Sequence, residues 1–549
     1  MNYLAGAMAD RPRHLGDFTV RPRVLLITAM ALAVGAASAV AAFCLLRLIG
    51  LITNLVFDQR LSTAMISPGA HRHSPWLILL APVAGGLIVG LMARYGSEKI
   101  RGHGMPEAIA AILTEGSTVA PRVAVLKPVS AAVSIGTGGP FGAEGPIIMT
   151  GGAVGSILAQ FAHLTADERK TLLVAGAAGG MAATFNAPLA SILLAVELLL
   201  FEWRPRSFIP VCAAVTVATI CRWAMLGANP VFPVIESARI EGGPIVLALL
   251  PGLTGGLLAV VATGLVYKSE DAFALLSRWI PWMWWPAIGG LIIGVGGLFQ
   301  PRALGVGYDV IDQLLSGRAA LSLIVSILIV KTLIWSLSLG SGTSGGVLAP
   351  VFMIGGALGA LEGQFLPHVF PGFWAMAGLA AVLGGVMRSP LTGVVFTMEL
   401  THAWNTLLGL VVASVSAYAV SVLILKRSVL TEKVARRGVH LTREYVTDPL
   451  EAYFAREVAS PLLTLPLAPS AVLVYGDQTL REVATACARA RATSATVVER
   501  ADPRRVLGVI GVAEFLRARE RDLHEDEHRE RILMVPFRPG NGVLPVTPP

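Results

Sequence analysis

Glu144 stands in the run GTGGPFGAEGPIIMTGG, residues 136–152, as a single carboxylate among glycines in one of the most apolar parts of the chain. An ionisable group at membrane depth costs roughly 2.5–3.5 kcal/mol on insertion scales, so by default it marks a functional position. The helix breakers around it indicate which chemistry. GAEGP (142–146) and GGVLAP (345–350) each place a proline in the first turn of a helix that starts inside an apolar segment. Such a helix aims free N–H groups and about half a unit of positive charge at the gap before it, which favours an anion. Neither loop holds Lys or Arg. The anion would be bound by dipoles and N–H groups alone, and weak binding of that kind suits rapid passage.

The surroundings that must position these loops are those of a polytopic helical membrane protein. Of 549 residues, 54% are hydrophobic and 14% charged, the mean hydropathy is +0.68, and apolar runs recur from Val24 to Leu425. The first run, Val24 to Ile52, is too long for a signal-peptide core and reads as a retained span. Basic segments at Arg11 to Arg23 and Lys426 to Gly438 bracket the apolar region, so the positive-inside rule puts both termini in the cytoplasm. The net charge of +8 is thereby assigned to topology. Without a basic stripe interleaved with aromatics, no nucleic-acid partner is expected. Cys44, Cys212, Cys221 and Cys487 show no CxxC spacing and read as small core hydrophobes.

The apolar region carries a duplication. EGPIIMTGGAVGSI (144–157) matches APVFMIGGALGAL (349–361), with Pro146 and Pro350 separated by 204 residues. AGAAGGMAATFNAPLASILLAVEL (175–198) matches AGLAAVLGGVMRSPLTGVVFTMEL (377–400), with Pro188 and Pro390 separated by 202, each nine residues before Glu197 or Glu399. Duplicated halves with Gly- and Pro-interrupted segments point to a transporter-type site between the repeats. GxxxG packing explains the paired glycines but not the Gly-Pro breaks that precede them.

Four motifs together resemble the CLC family of chloride channels and proton-coupled chloride exchangers, over about residues 24–439: GHGMPEA (102–108), GAEGP, FNAPLASILLAVE (185–197) and GGVLAP. The resemblance implies an all-α polytopic fold of about eighteen helical segments in two inverted-topology repeats (about 24–226 and 244–425), and a homodimer with an anion path in each subunit. It places Glu144 on the family's gating glutamate, whose carboxylate occupies the anion site until it is protonated or displaced. It implies anion contacts at Gly102, His103, Gly104, Met105, Pro106, Gly142, Ala143, Gly145, Pro146, Gly346, Val347, Leu348, Ala349, Pro350 and Leu430.

This sequence departs from the family pattern at several of these positions. His103 stands where the family has a serine, Leu348 where it has a phenylalanine, and Leu430 where a tyrosine supplies a hydroxyl. Leu198 replaces the inner proton-accepting glutamate of coupled members, leaving Glu197 as a possible relay. These departures favour passive conduction of chloride or a similar anion over proton-coupled antiport. Arg388 and Glu399 read as a structural pair.

The polar tail divides into a linker (440–478), a module (479–532) and a loose C-terminus (533–549), with residues 1–23 as the opposite cytoplasmic segment. A helix at TLREVATACARA, strands at ATVVE and VLGVIGV, and a closing helix resemble one CBS repeat. Gly511 and Glu514 replace the usual ribose-binding pair, so no nucleotide cofactor is expected. A cation- or solute-coupled transporter is the rival of another class. A metalloenzyme built on His103 and Glu107 fails for lack of further ligands, so neither enzymatic chemistry nor a metal is expected there.

Overall fold

A bilayer offers no hydrogen bonds to the backbone, so long apolar segments with internal breakers must fold as helices whose broken ends are sealed by protein. The computed structural model describes residues 22–234, 240, 242–438, 450, 453–460 and 472–527. The expected C-terminal segment 533–549 and nearly all of 1–23 lie outside these residues.

The chain divides into two units at Arg443/Glu444. The larger is all-α. Its first half comprises α1 (Arg23–Thr53), α2 (Pro75–Tyr95), α3 (Met105–Thr114), α4 (Pro121–Gly136), α5 (Glu144–Gln160), α6 (Ala166–Phe185), α7 (Pro188–Leu194) and α8 (Pro205–Leu226). Its second comprises α9 (Gly242–Leu247), α10 (Leu249–Leu276), α11 (Trp285–Phe299), α12 (Tyr308–Leu315), α13 (Leu321–Gly340), α14 (Leu348–Glu362), α15 (Phe373–Met387), α16 (Pro390–Thr401), α17 (Leu407–Ile424) and α18 (Val429–Arg436).

Among the described residues, seven helical stretches are long and apolar enough to cross a membrane, whereas Met105–Thr114, Pro188–Leu200, Leu348–Glu362 and Phe373–Met387 are apolar but shorter. At 1.5 Å per residue a ten-residue helix covers about half of a ~30 Å hydrocarbon core, so α3 has an end inside it.

The duplication extends well beyond the matched sequence runs. Left-handed backbone recurs at Gly102 and Gly104 and again at Gly305 and Gly307, at Asn186 and Arg388, and at Phe201 and His402. The fully buried Lys127 donates to the carbonyls of Ile100 (2.7 Å) and Gly102 (2.6 Å). Lys331, 204 residues later, donates to those of Ala303 (2.9 Å) and Gly305 (2.7 Å). Each lysine thus pins a Gly-x-Gly loop that opens a helix, α3 in one half and α12 in the other. Only glycine reaches those φ angles without strain. GVG at 305–307 is the counterpart of GHG at 102–104.

Behind these loops Phe185, Phe352 and Phe396 form a buried aromatic triangle with centroids 5.0–6.3 Å apart, joining α6, α14 and α16 across the halves. Arg388 and Glu399 serve different partners: Arg388 donates to the Ser421 carbonyl at 2.9 Å and Glu399 accepts from Leu189 and Ala190. All four cysteines are free, and Cys44 is exposed on α1 rather than in the core.

The smaller unit is α/β. A short helix, α19 (Ala455–Val458), precedes β1 (Val472–Tyr475), α20 (Leu480–Ala490), β2 (Ser494–Val498), β3 (Val506–Gly511) and α21 (Val512–Glu527). The sheet order is β1-β2-β3, parallel then antiparallel. β1 and α19 lie in the stretch expected as linker. Val474 and Ala455 are buried with Val483, Ala495 and Ile510, so the small core is incomplete without that stretch. Glu514 is fully buried and accepts from Gly511 N (2.8 Å), Ser460 Oγ (2.9 Å) and Arg517.

Candidate functional site

Three of the sequence-selected loops meet. Gly142 and Gly346 exchange backbone hydrogen bonds (3.3 and 2.8 Å), and Gly102 N donates to Thr343 O at 3.1 Å. Gly145 faces the His103 carbonyl, where a Cβ would overlap it, and a Cβ on Gly104 would come within 2.8 Å of the Gly145 carbonyl. Pro146 and Pro350 are each the third residue of their helix, where a missing N–H leaves no bond unmade. The starts of α3, α5 and α14 are therefore held together by backbone contacts that tolerate no side chain at the glycines.

Glu144 is the first residue of α5, with Ala143 as its cap, and is wholly buried. Its carboxylate crosses to the other half, where Oε1 accepts from Ala349 N in the first turn of α14 at 3.2 Å. The N–H groups of Glu144 and Leu348 also turn toward it. Its Oε2 is buried without a hydrogen-bond partner. A Cβ on either Gly142 or Gly346 would collide with this carboxylate, so both glycines leave the space it fills. A negative group thus sits between two positive helix ends. Lys331 and Tyr308 lie within electrostatic reach of it.

His103 is 4% exposed and its Nδ1 has no hydrogen-bond partner. The neighbouring charges are Lys433, Glu107, Lys127 and Arg437. Glu107, also buried, pairs with Lys433 (3.1 Å) and Arg437 (2.9 Å). Through these pairs α18 is tied to α3, and Lys433 Nζ lies against Gly102. Leu430 is fully buried on the same short helix. Met105, Val347 and Leu348 are buried at the helix starts.

Glu197 is engaged elsewhere: its Oε2 accepts from Thr392 N (3.0 Å) and Thr392 Oγ1 (2.5 Å), at the start of α16. Glu399, its counterpart in the duplication, accepts from Leu189 N (3.0 Å) and Ala190 N (2.8 Å) at the start of α7. The two halves cap one another. Leu198 is buried and apolar. Sequence reading passed over Lys127, Lys331 and the GVG loop. Their signal was the repeat spacing, which relates Lys127 to Lys331 at 204 residues and GHG to GVG at 203.

Comparison with known proteins agrees with this geometry. The sequence profile "Voltage gated chloride channel" matches residues 85–422. The chain is 31% identical over 367 residues to "H(+)/Cl(-) exchange transporter ClcA" of Citrobacter koseri, covering 62% of this chain and 76% of that one. It is 29% identical over 398 residues to the protein of the same name from Salmonella paratyphi B, covering 67% and 83%. Among solved structures, a slow cyanobacterial Cl-/H+ antiporter shares the fold with a TM-score of 0.67 at 22% identity, covering 76% of this chain and 99% of that one. A multi-pass α-helical unit, paired helix starts around a buried glutamate, and these likenesses lead to one conclusion: the chain belongs to the voltage gated chloride channel (CLC) family, as a membrane transporter of small anions and not an enzyme.

Proposed function

We propose that the chain exchanges chloride, or an anion of similar size, for protons across the bacterial inner membrane, with Glu144 as the gate. The observation that carries this reading is the Glu144 carboxylate lying between the starts of α5 and α14, bonded to Ala349 N at 3.2 Å. A carboxylate is an anion on a tether, so the N–H groups that hold it are suited to hold chloride, and protonation removes the competitor. Residues 102–106, 142–146 and 346–350 would line the path as helix starts, with His103 offering a ring N–H in place of a hydroxyl and Leu430 offering none.

Exchange is preferred to the passive conduction expected from Leu198, because the relatives at 31% and 29% identity are named as H(+)/Cl(-) exchange transporters. The passive alternative keeps one specific support: Leu198 is buried and apolar, and the adjacent Glu197 carboxylate is bonded to Thr392. The matched lysine pins and reciprocal glutamate caps support two duplicated halves, and the family resemblance extends this to inverted topology. By family resemblance we extend the reading to a homodimer with both termini cytoplasmic and a CBS-like tail. Glu514, used up in bonds to Ser460 and Gly511, is not expected to serve a nucleotide there.

The test is purified protein in liposomes under crossed chloride and proton gradients. Exchange moves protons uphill when driven by chloride and displaces the reversal potential from the chloride Nernst value. A reversal potential at that value with no proton movement selects the passive alternative.

A further inference from the structure

The segment between α1 and α2 contains chemistry that the anion path does not use. Asp58, His71 and His73 each offer a metal-ligating atom, and the three atoms lie within 4.8 Å of one another. His71 Nδ1 is 3.0 Å from Asp58 Oδ1. Taken alone, that contact is an ordinary surface pair, since the His71 side chain is 58% exposed. His73 makes the group different. Its Nε2 is shielded from solvent and has no hydrogen-bond partner, an omission that is unfavourable when nothing binds there.

The backbone is built to hold these groups in place. The last turn before the loop is a π-helix, Asn54–Asp58, followed by Gln59 in the left-handed region at φ 54°. Such turns recur at functional sites. The buried Asn54 amide donates to the carbonyls of Gly50 (2.8 Å), Ser62 (3.0 Å) and Ala64 (2.7 Å), fixing the loop against α1. Phe57 packs on the His73 ring with centroids 5.4 Å apart.

We infer that Asp58, His71 and His73 form a site for a zinc-type divalent ion, which fastens this loop beside a cavity walled by the Gly305–Asp309 loop. Two imidazoles and one carboxylate suit zinc-type ions, whereas Mg²⁺ and Ca²⁺ favour oxygen ligands. Bonds of about 2.0–2.2 Å in tetrahedral geometry put donor atoms roughly 3.3 Å apart. The present spacing needs only side-chain rotation, and His71 is free to supply it. A fourth position stays open to water or an anion. The link to transport is structural. Residues 65–68 of the same loop wall a cavity of about 50 Å³ together with Gly305, Tyr308 and Asp309. Gly69 packs on the backbone of Pro301 and Arg302, just before the loop pinned by Lys331. Fastening the loop restricts access to that cavity and slows anion flux.

The experiment titrates tag-free full-length protein with ZnCl₂ and, separately, MgCl₂ by calorimetry, with chloride flux from proteoliposomes as a second measurement. The calorimetric arm does not depend on the transport reading. One zinc per chain, no magnesium heat, and affinity at least about tenfold weaker in His73→Ala and in the exposed-site variant His71→Gln support the site. Zinc should slow flux in the wild type and not in either variant, and both variants should transport normally without zinc. Absence of zinc binding, or equal binding by wild type and both variants, overturns the site. Binding with unaltered flux overturns its role in access.

Discussion

Three carboxylates reach from one half of the membrane unit to a helix start in the other, and they are held differently. Glu197 takes two bonds from Thr392, and Glu399 takes two from Leu189 and Ala190. Glu144 takes one full hydrogen bond, from Ala349 N at 3.2 Å, with the N–H groups of Glu144 and Leu348 only turned toward it, and its Oε2 is buried without a hydrogen-bond partner. A saturated carboxylate works as a cap and stays. A carboxylate with one long bond in the same kind of positive cradle can be replaced by another anion at little loss. The duplication sharpens this contrast: the position matching Glu144 at the 204-residue offset is Leu348, and in the loop pair GHG and GVG, 203 residues apart, the position matching His103 is Val306. The scaffold is doubled, and the groups with chemistry appear once.

The largest effect is expected at Glu144. Chloride flux in the wild type should rise as external pH falls, because protonation discharges the tethered competitor. Glu144→Gln and Glu144→Ala should lose that response and all chloride-driven proton movement while still passing chloride. Flux assays across about pH 5–7 decide it, and an intact pH response in both variants would put the gate elsewhere.

Next come the matched lysines. Lys127→Met and Lys331→Met each leave two buried carbonyls unpaired, a loss of about 2–5 kcal/mol seen as a lower unfolding temperature. Lys331 alone is within reach of Glu144. Only Lys331→Met should also change the pH dependence of flux. If both variants change it alike, the distinction drawn from geometry is wrong.

A smaller effect is expected at the saturated caps. Glu197→Gln and Glu399→Gln should each destabilise by about 1–2 kcal/mol, through weakened charge-assisted bonds to helix N–H groups. Similar losses with coupling intact would confirm both as caps. Loss of proton movement in Glu197→Gln alone would make it the relay and break the comparison.

The smallest change is expected for His103→Ser. Stability should hold, while the affinity order among halides shifts several-fold, because a compact hydroxyl and a ring N–H constrain an anion differently. Calorimetric titration of chloride, bromide and fluoride measures it. An unchanged order would mean that backbone N–H groups alone define the site.

Much of this was legible in the chain. Hydropathy gave the membrane class, and Gly-Pro breaks at residues 142–146 and 345–350 gave the helix starts, because both are properties of neighbouring residues. The same reading failed wherever a partner lay far away in sequence. Arg388 and Glu399 look complementary eleven residues apart, yet Glu399 is drawn to free N–H groups at the start of α7 and Arg388 to carbonyls at the end of α17. The tail's first strand lies in the stretch expected as linker, because VLVY is too short to declare itself. It becomes a strand only when paired with β2.

By itself, then, the sequence determined a duplicated bundle of apolar, interrupted helices with a single glutamate at one interruption. Composition and breaker spacing are local and act wherever the chain goes. Only the tertiary structure decided which helix start each carboxylate meets. Those bonds join residues 205 apart for Glu144 and Ala349, 195 apart for Glu197 and Thr392, and 210 apart for Glu399 and Leu189. A polar group buried beside a helix end takes whichever partner the packing presents, and no pattern along the chain encodes that choice.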